Sequence, residues 1–189
     1  MKSAAKHSPS RLAQWLVIAL GALPVFLLAF WVPAFAEGDA AIALERFLDD
    51  HLLGRVGPWS SEFPLMSKAV ANYIAIAALP GALGLIVVWR RHLRPIEQMP
   101  ALALHRWLLF LAGWLALTAL VIHQHYFSYT DFALQRSKFR VFGRYPVLYP
   151  FYAAAAMWVI ELVVMGSYAL FVHYPGQWLA RRAGGRGGC

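Results

Sequence analysis

Apolar residues in this chain come in long blocks divided by short polar stretches, not at the spacing of a surface helix. Leu12 to Ala36 contains no charged residue, and neither does Ala69 to Trp89. Trp107 to Ile122 forms the centre of a third block, and Val147 to Tyr174 a fourth, with Glu161 as its one acidic residue. A helix needs about 20 apolar residues to cross a bilayer, and each block supplies or approaches that length. No segment alternates in the manner of a membrane barrel strand, so helices are the spanning structure the pattern predicts. The expected fold is an all-α integral membrane protein of four transmembrane helices, at about 12–36, 67–89, 105–125 and 147–174. They form one membrane domain over 12–178, between a basic tail at 1–11 and a Gly-rich basic tail at 179–189. Trp15, Trp31, Trp89, Trp107, Tyr126, Tyr145, Tyr149 and Tyr174 fall where interfacial aromatic belts belong.

The first block admits a second interpretation. Lys2, Lys6 and Arg11 precede it and Ala34-Phe35-Ala36 closes it, the layout of a signal peptide cleaved after Ala36. Its apolar run exceeds the usual signal core of about 7–15 residues, which favours a retained helix.

Composition agrees with the pattern. Of 189 residues, 60% are hydrophobic and 14% charged, against about a quarter charged in soluble domains. The net charge of +8 indicates topology and contact with anionic lipid, not nucleic acid. Basic residues gather in the N-terminal tail, in the second loop (Arg90, Arg91, Arg94 and Arg106 against Glu97) and in the C-terminal tail (Arg181, Arg182 and Arg186). The positive-inside rule then places both termini in the cytoplasm. The first loop is external and acidic, with Glu37, Asp39, Glu45, Asp49, Asp50 and Glu62. Within it Ile42, Leu44, Phe47, Leu48, Leu52 and Leu53 recur at near-helical spacing, which predicts a short amphipathic helix on the membrane surface, ended by Gly57-Pro58. The third loop is external too, yet carries Arg136, Lys138, Arg140 and Arg144 against Asp131. Either the acidic first loop or lipid phosphate neutralises it, or it is a docking surface.

Catalytic signatures are missing: no H-E-x-x-H, C-x-x-C, G-x-S-x-G or phosphate-binding glycine loop occurs. The expectation is a non-enzyme without metal or cofactor. His123 and His125 diverge at a helix end, and His105 and His173 sit at a rim unsuited to haem. Cys189 is the sole cysteine, so no internal disulfide is available. Glu161, in the middle of the fourth block, must face the bundle, be protonated or find a partner. Either it makes a structural hydrogen bond, for instance to Thr118, or it serves partner recognition or a proton step. Ser67, Ala71, Ala75, Ala78 and Ala82 form a stripe of small residues on helix two, with Ala153 to Ala156 a similar patch on helix four. Such stripes let helices approach closely, within the bundle or with a partner. Lys68 and Asn72 stand one turn apart on the neighbouring face, where an exposed position would suit recognition.

Pro64-Leu65-Met66-Ser67-Lys68, at the external entrance to helix two, resembles the P-L-M-[ST]-K stretch of colicin A-type immunity proteins. The layout is similar over nearly the whole chain, with an arginine-rich cytoplasmic turn and a short basic tail. The long basic third loop and the glycine-rich tail depart from that pattern. The resemblance implies an inner-membrane protein that binds the pore-forming domain of a colicin-like bacteriocin and blocks channel opening. The expected toxin-binding residues are Lys68, Asn72, Ala71, Ala75, Arg136, Lys138 and Arg140. Membrane lipids are further partners, and self-association is left open. The alternative is an accessory subunit of a membrane complex, such as an electron-transfer enzyme.

Overall fold

The computed structural model describes residues 11–90, 93 and 104–184, with side chains described for 19–90, 93 and 105–180. Lys2, Lys6, Arg91, Arg94, Glu97, Arg186 and Cys189 lie outside the described residues, as do the side chains of Arg11, Trp15, Arg181 and Arg182. The described chain is helical: α1 (Arg11–Trp31), α2 (Asp39–His51), α3 (Pro64–Trp89), α4 (Leu104–Ile122), α5 (Arg140–Arg144), α6 (Tyr149–Tyr168) and α7 (Tyr174–Gly184). Wide π turns at His123–Phe127 and Ala169–His173 extend α4 and join α6 to α7. Three helical segments, Pro64–Trp89, His105–Phe127 and Tyr149–Ala180, are long and apolar enough to cross a membrane. The described apolar part of α1, Ala19–Trp31, is shorter.

Prolines set two of the boundaries. Pro33 disfavours helical geometry at the residue before it, so α1 stops at Trp31 and not near 36. Pro64 occupies the first turn of α3, where a missing N–H costs nothing, so that helix starts earlier than 67. The chain between them turns back, and the Leu65 amide donates to the Ala34 carbonyl at 3.0 Å.

Helix α3 is the hub, packed against α1, α2 and α6. Its small residues allow this: Ser67, Ala71, Ala75, Ala78 and Ala82 are all buried. Val25 of α1, Val70, Ile74 and Ala78 of α3, and Ala153 and Met157 of α6 share one core. Tyr73 adds a polar tie, donating its hydroxyl to the Gly21 carbonyl at 3.1 Å.

Helix α2 forms where the periodicity places it, but ends at His51, ahead of Gly57-Pro58. Gly54, at φ +60°, makes the turn, and its amide donates to the Leu48 carbonyl at 2.9 Å. Ala41 and Leu48 of α2 pack on Leu65 and Ala69 of α3. The helix is thus docked on the bundle. Together α2, the first loop and the third loop cover one end of the bundle, referred to below as the capped end.

Candidate partner-binding surface

The stretch Pro64 to Lys68 works as a clasp between α3 and the first loop. Ser67 Oγ accepts from the Ser60 amide at 3.1 Å and lies 3.1 Å from the Pro64 carbonyl. Lys68 Nζ lies 2.6 Å from Asp49 Oδ1 and 3.6 Å from Glu45 Oε1 of α2. One turn on, Asn72 Nδ2 donates to the Gly54 carbonyl at 2.7 Å, while Asn72 Oδ1 accepts from the Leu53 amide at 2.9 Å. Lys68 and Asn72 were expected on an exposed face. They are instead 7% and 1% exposed, because α2 and the Leu53–Gly54 turn fold down on them. A lysine in low dielectric needs a counter-charge and an asparagine needs hydrogen bonds; both needs are met within the chain.

Ala71 and Ala75 are occupied as well. They are buried against Val56 of the first loop and beside Tyr126, whose hydroxyl donates to the Ala75 carbonyl at 2.9 Å. This part of the small-residue stripe therefore receives a loop and a tyrosine of the chain itself.

The first and third loops are joined through backbone. The Trp59 amide donates to the Thr130 carbonyl at 3.0 Å and the Phe132 amide to the Trp59 carbonyl at 2.9 Å, a short parallel bridge. Ser60 Oγ donates to the Gly143 carbonyl, and a Cβ at Gly143 would overlap the backbone of Phe132 and Ala133. Tyr149 donates its hydroxyl to the Pro58 carbonyl at 2.8 Å. Asp131 Oδ1 takes part in this arrangement, accepting from the amides of Ser61 and Ala133 at 3.2 and 2.9 Å. Arg136, Lys138, Arg140 and Arg144 are exposed. Among the described residues ion pairs form at Lys68 alone, so the acidic first loop does not neutralise the basic third loop by direct pairing.

Glu161 does not meet Thr118, whose hydroxyl donates to the Trp114 carbonyl of its own helix at 2.8 Å. The Glu161 carboxyl lies where α1, α3 and α6 converge, against Gly21 and Gly81; a Cβ added at Gly81 would collide with Oε1. It is 4% exposed and has no hydrogen-bond partner among the described residues. The two glycines leave the space it fills.

Helix α4 and its π extension meet the bundle through Trp114 and Tyr126, and Val121 packs against the main core. Trp114 lies over Gly166, where no Cβ would fit, and donates Nε1 to Ser167 Oγ at 3.0 Å. Tyr126 makes the second contact, to α3. Between them α4 and α6 stand apart around an open apolar groove of about 520 Å³. Leu120 and Val121 form one wall, Ala155 and Val159 another, and Phe139 and Phe142 flank the capped end. His125 also lines the groove; it is 5% exposed and its Nε2 is buried with no hydrogen-bond partner. His123 is exposed, so these two histidines do not converge. Sequence reasoning missed the groove, because its walls come from residues of α4, α5 and α6 far apart in the chain.

Comparison with protein-family models, with curated proteins and with solved structures finds no match for this chain.

Proposed function

We propose that the chain is a four-span bacterial inner-membrane protein, both termini cytoplasmic, that gives immunity to a pore-forming, colicin-like bacteriocin. The observation that carries this reading is the capped end. Two loops braced on each other hold Arg136, Lys138 and Arg140 exposed and, among the described residues, free of ion pairs. A braced loop with unpaired charges loses little entropy on binding and attracts an acidic surface. The toxin's pore-forming domain docks on this face as it inserts, and its apolar helices lie along the flank of α4. Leu109 and Leu120 are exposed on that flank. Binding there holds the inserted helices away from the open channel, and no bond is made or broken.

The Pro64–Lys68 resemblance supports the reading through architecture, since those residues clasp α2 to α3. Lys68, Asn72, Ala71 and Ala75 then support the binding face from beneath and do not touch the toxin, while Arg136, Lys138 and Arg140 are its contacts. The bare flank of α4 favours one other reading, a permanent accessory subunit seated on a larger membrane complex. The two are separated by pull-down with the purified pore-forming domain of a bacteriocin made by related producer cells. Immunity predicts a complex in detergent that weakens at least tenfold when Arg136, Lys138 and Arg140 are all alanine. Co-purification with an unrelated membrane enzyme, and no toxin complex, supports the subunit reading.

A further inference from the structure

The groove between α4 and α6 holds about 520 Å³, within the range of small-ligand sites. Both helices are long and apolar enough to cross a membrane, so a molecule enters the opening between them from the bilayer. The lining changes along its length. Toward the middle of the span it is aliphatic, with Val121, Ala155, Val159 and Ile160. At the capped end Gln124 and His125 line it from the α4 side and Tyr152 from the α6 side. The rings of Phe139 and Phe142 lie beside Tyr152, with centroids 6.3 and 5.6 Å away. From Tyr152 to Ile160 the α6 wall runs for about 12 Å at the helical rise.

The polar groups at the capped end lack partners within the chain. The Gln124 amide and the Tyr152 hydroxyl make no hydrogen bond among the described residues. His125 is 5% exposed and its Nε2 is buried without a partner. Buried polar groups in folded proteins are nearly always hydrogen-bonded, so an orphan nitrogen on a groove-lining ring points to a partner supplied from outside the chain. Among the described residues no Asp, Glu, Lys or Arg lines the groove. A charged headgroup would enter it unpaired, at a cost that a neutral one escapes.

These observations define a ligand that is neutral, flat enough to lie against aromatic rings, and able to accept hydrogen bonds from both helices at once. A neutral glyceride carries acceptors but no flat ring. We propose that the groove binds a lipid quinone: the ring lies at the capped end against Phe139 and Phe142, and the isoprenoid tail runs along Val159 toward lipid. Gln124 and Tyr152 donate to its two carbonyls, and His125 Nε2 adds a further hydrogen bond as its ring turns toward the groove. The role is binding, with no bond made or broken. It does not rest on the immunity reading, since none of the toxin contacts Arg136, Lys138 and Arg140 lines the groove.

The test uses the full chain in quinone-free phosphatidylcholine nanodiscs and a short-tailed benzoquinone bearing a photoreactive azido group. After illumination and digestion, mass spectrometry should place the label on peptides carrying residues 120–125 or 151–160. Unlabelled quinone should compete at least tenfold better than diacylglycerol or palmitate. A hydrogen bond of this kind is worth about a factor of two to ten in affinity. Gln124→Leu with Tyr152→Phe, which keeps the aromatic ring, should therefore weaken quinone binding about fourfold or more. Ala155→Phe should lower labelling severalfold by filling the groove. Label placed elsewhere in the wild type, or equal competition by diacylglycerol or palmitate, overturns the proposal, and both are read without any variant. An unchanged affinity in the double variant overturns it as well.

Discussion

Lys68 Nζ sits between the two carboxylate oxygens of Asp49, 2.6 Å from Oδ1 and 2.7 Å from Oδ2, and this contact ties α2 to α3. The pair is asymmetric: the lysine side chain is 8% exposed and the aspartate 50%. Removing the lysine frees a carboxylate that water can reach, so the cost is below the roughly 3–5 kcal/mol of a fully buried pair. Lys68→Met should destabilise by about 1–2 kcal/mol and loosen α2 without unfolding the bundle. Limited proteolysis between Leu52 and Gly57 should speed up, and Asp49→Asn should do less, because Glu45 stays 3.6 Å away.

Asn72 should matter more than Lys68. Its amide completes bonds with Leu53, Gly54 and the Lys68 carbonyl, the last at 2.9 Å. Asn72→Leu keeps the branching of the side chain but leaves the buried Gly54 carbonyl unsatisfied, at about 1–3 kcal/mol, and removes the acceptor of the part-buried Leu53 amide at a smaller cost. Hydrogen exchange at the Leu53 amide should accelerate at least tenfold. An unchanged rate would show that the first loop is held by other contacts.

Gly81 and Glu161 form a complementary pair across α3 and α6. Gly81→Val pushes a side chain into the Glu161 carboxyl, and overpacking of this kind costs about 1–3 kcal/mol. Adding Glu161→Ala should recover most of that loss, which a double-mutant cycle of unfolding in detergent would measure. Glu161→Leu alone should fold at least as well as wild type, since no hydrogen bond is lost and a buried polar group is removed. A Glu161→Gln variant that folds normally but gives no protection would make the carboxylate functional.

The apolar blocks and the periodicity of α2 were legible in the sequence because each is local, set by residues within a few turns. Lys68 and Asn72 were not. Their partners, Asp49 and Gly54, lie 19 and 18 residues upstream, and only the return of α2 onto α3 turns a polar helix entrance into an interior clasp. Ala71 and Ala75 fit the small-residue pattern, yet the pattern cannot say that Val56 and Tyr126 cover them. The joining of the two loops at Trp59 and Asp131 has no periodic signal at all. Arg136, Lys138 and Arg140 are exposed, and the one acidic residue of their loop, Asp131, turns Oδ1 to two backbone amides.

The proposed topology makes its own prediction. Reporter fusions after Ser10, Arg94 and Arg182 should read cytoplasmic, and fusions near Asp50 and Lys138 periplasmic, from the basic count on each side. A cytoplasmic reading at Lys138 would remove one of the four spans.

The most direct measurement is survival of a susceptible bacterium expressing this chain, challenged with a panel of purified pore-forming bacteriocins and with nuclease toxins, while membrane levels are followed in parallel. The account predicts protection against one pore-former and none against nucleases. Triple alanine replacement of Arg136, Lys138 and Arg140 should weaken that protection at unchanged membrane level. Ala71→Leu and Ala75→Leu should lower the membrane level itself, by lifting Val56 and Tyr126 off α3. Full sensitivity to every pore-former, with the wild-type chain correctly inserted, would contradict the immunity function.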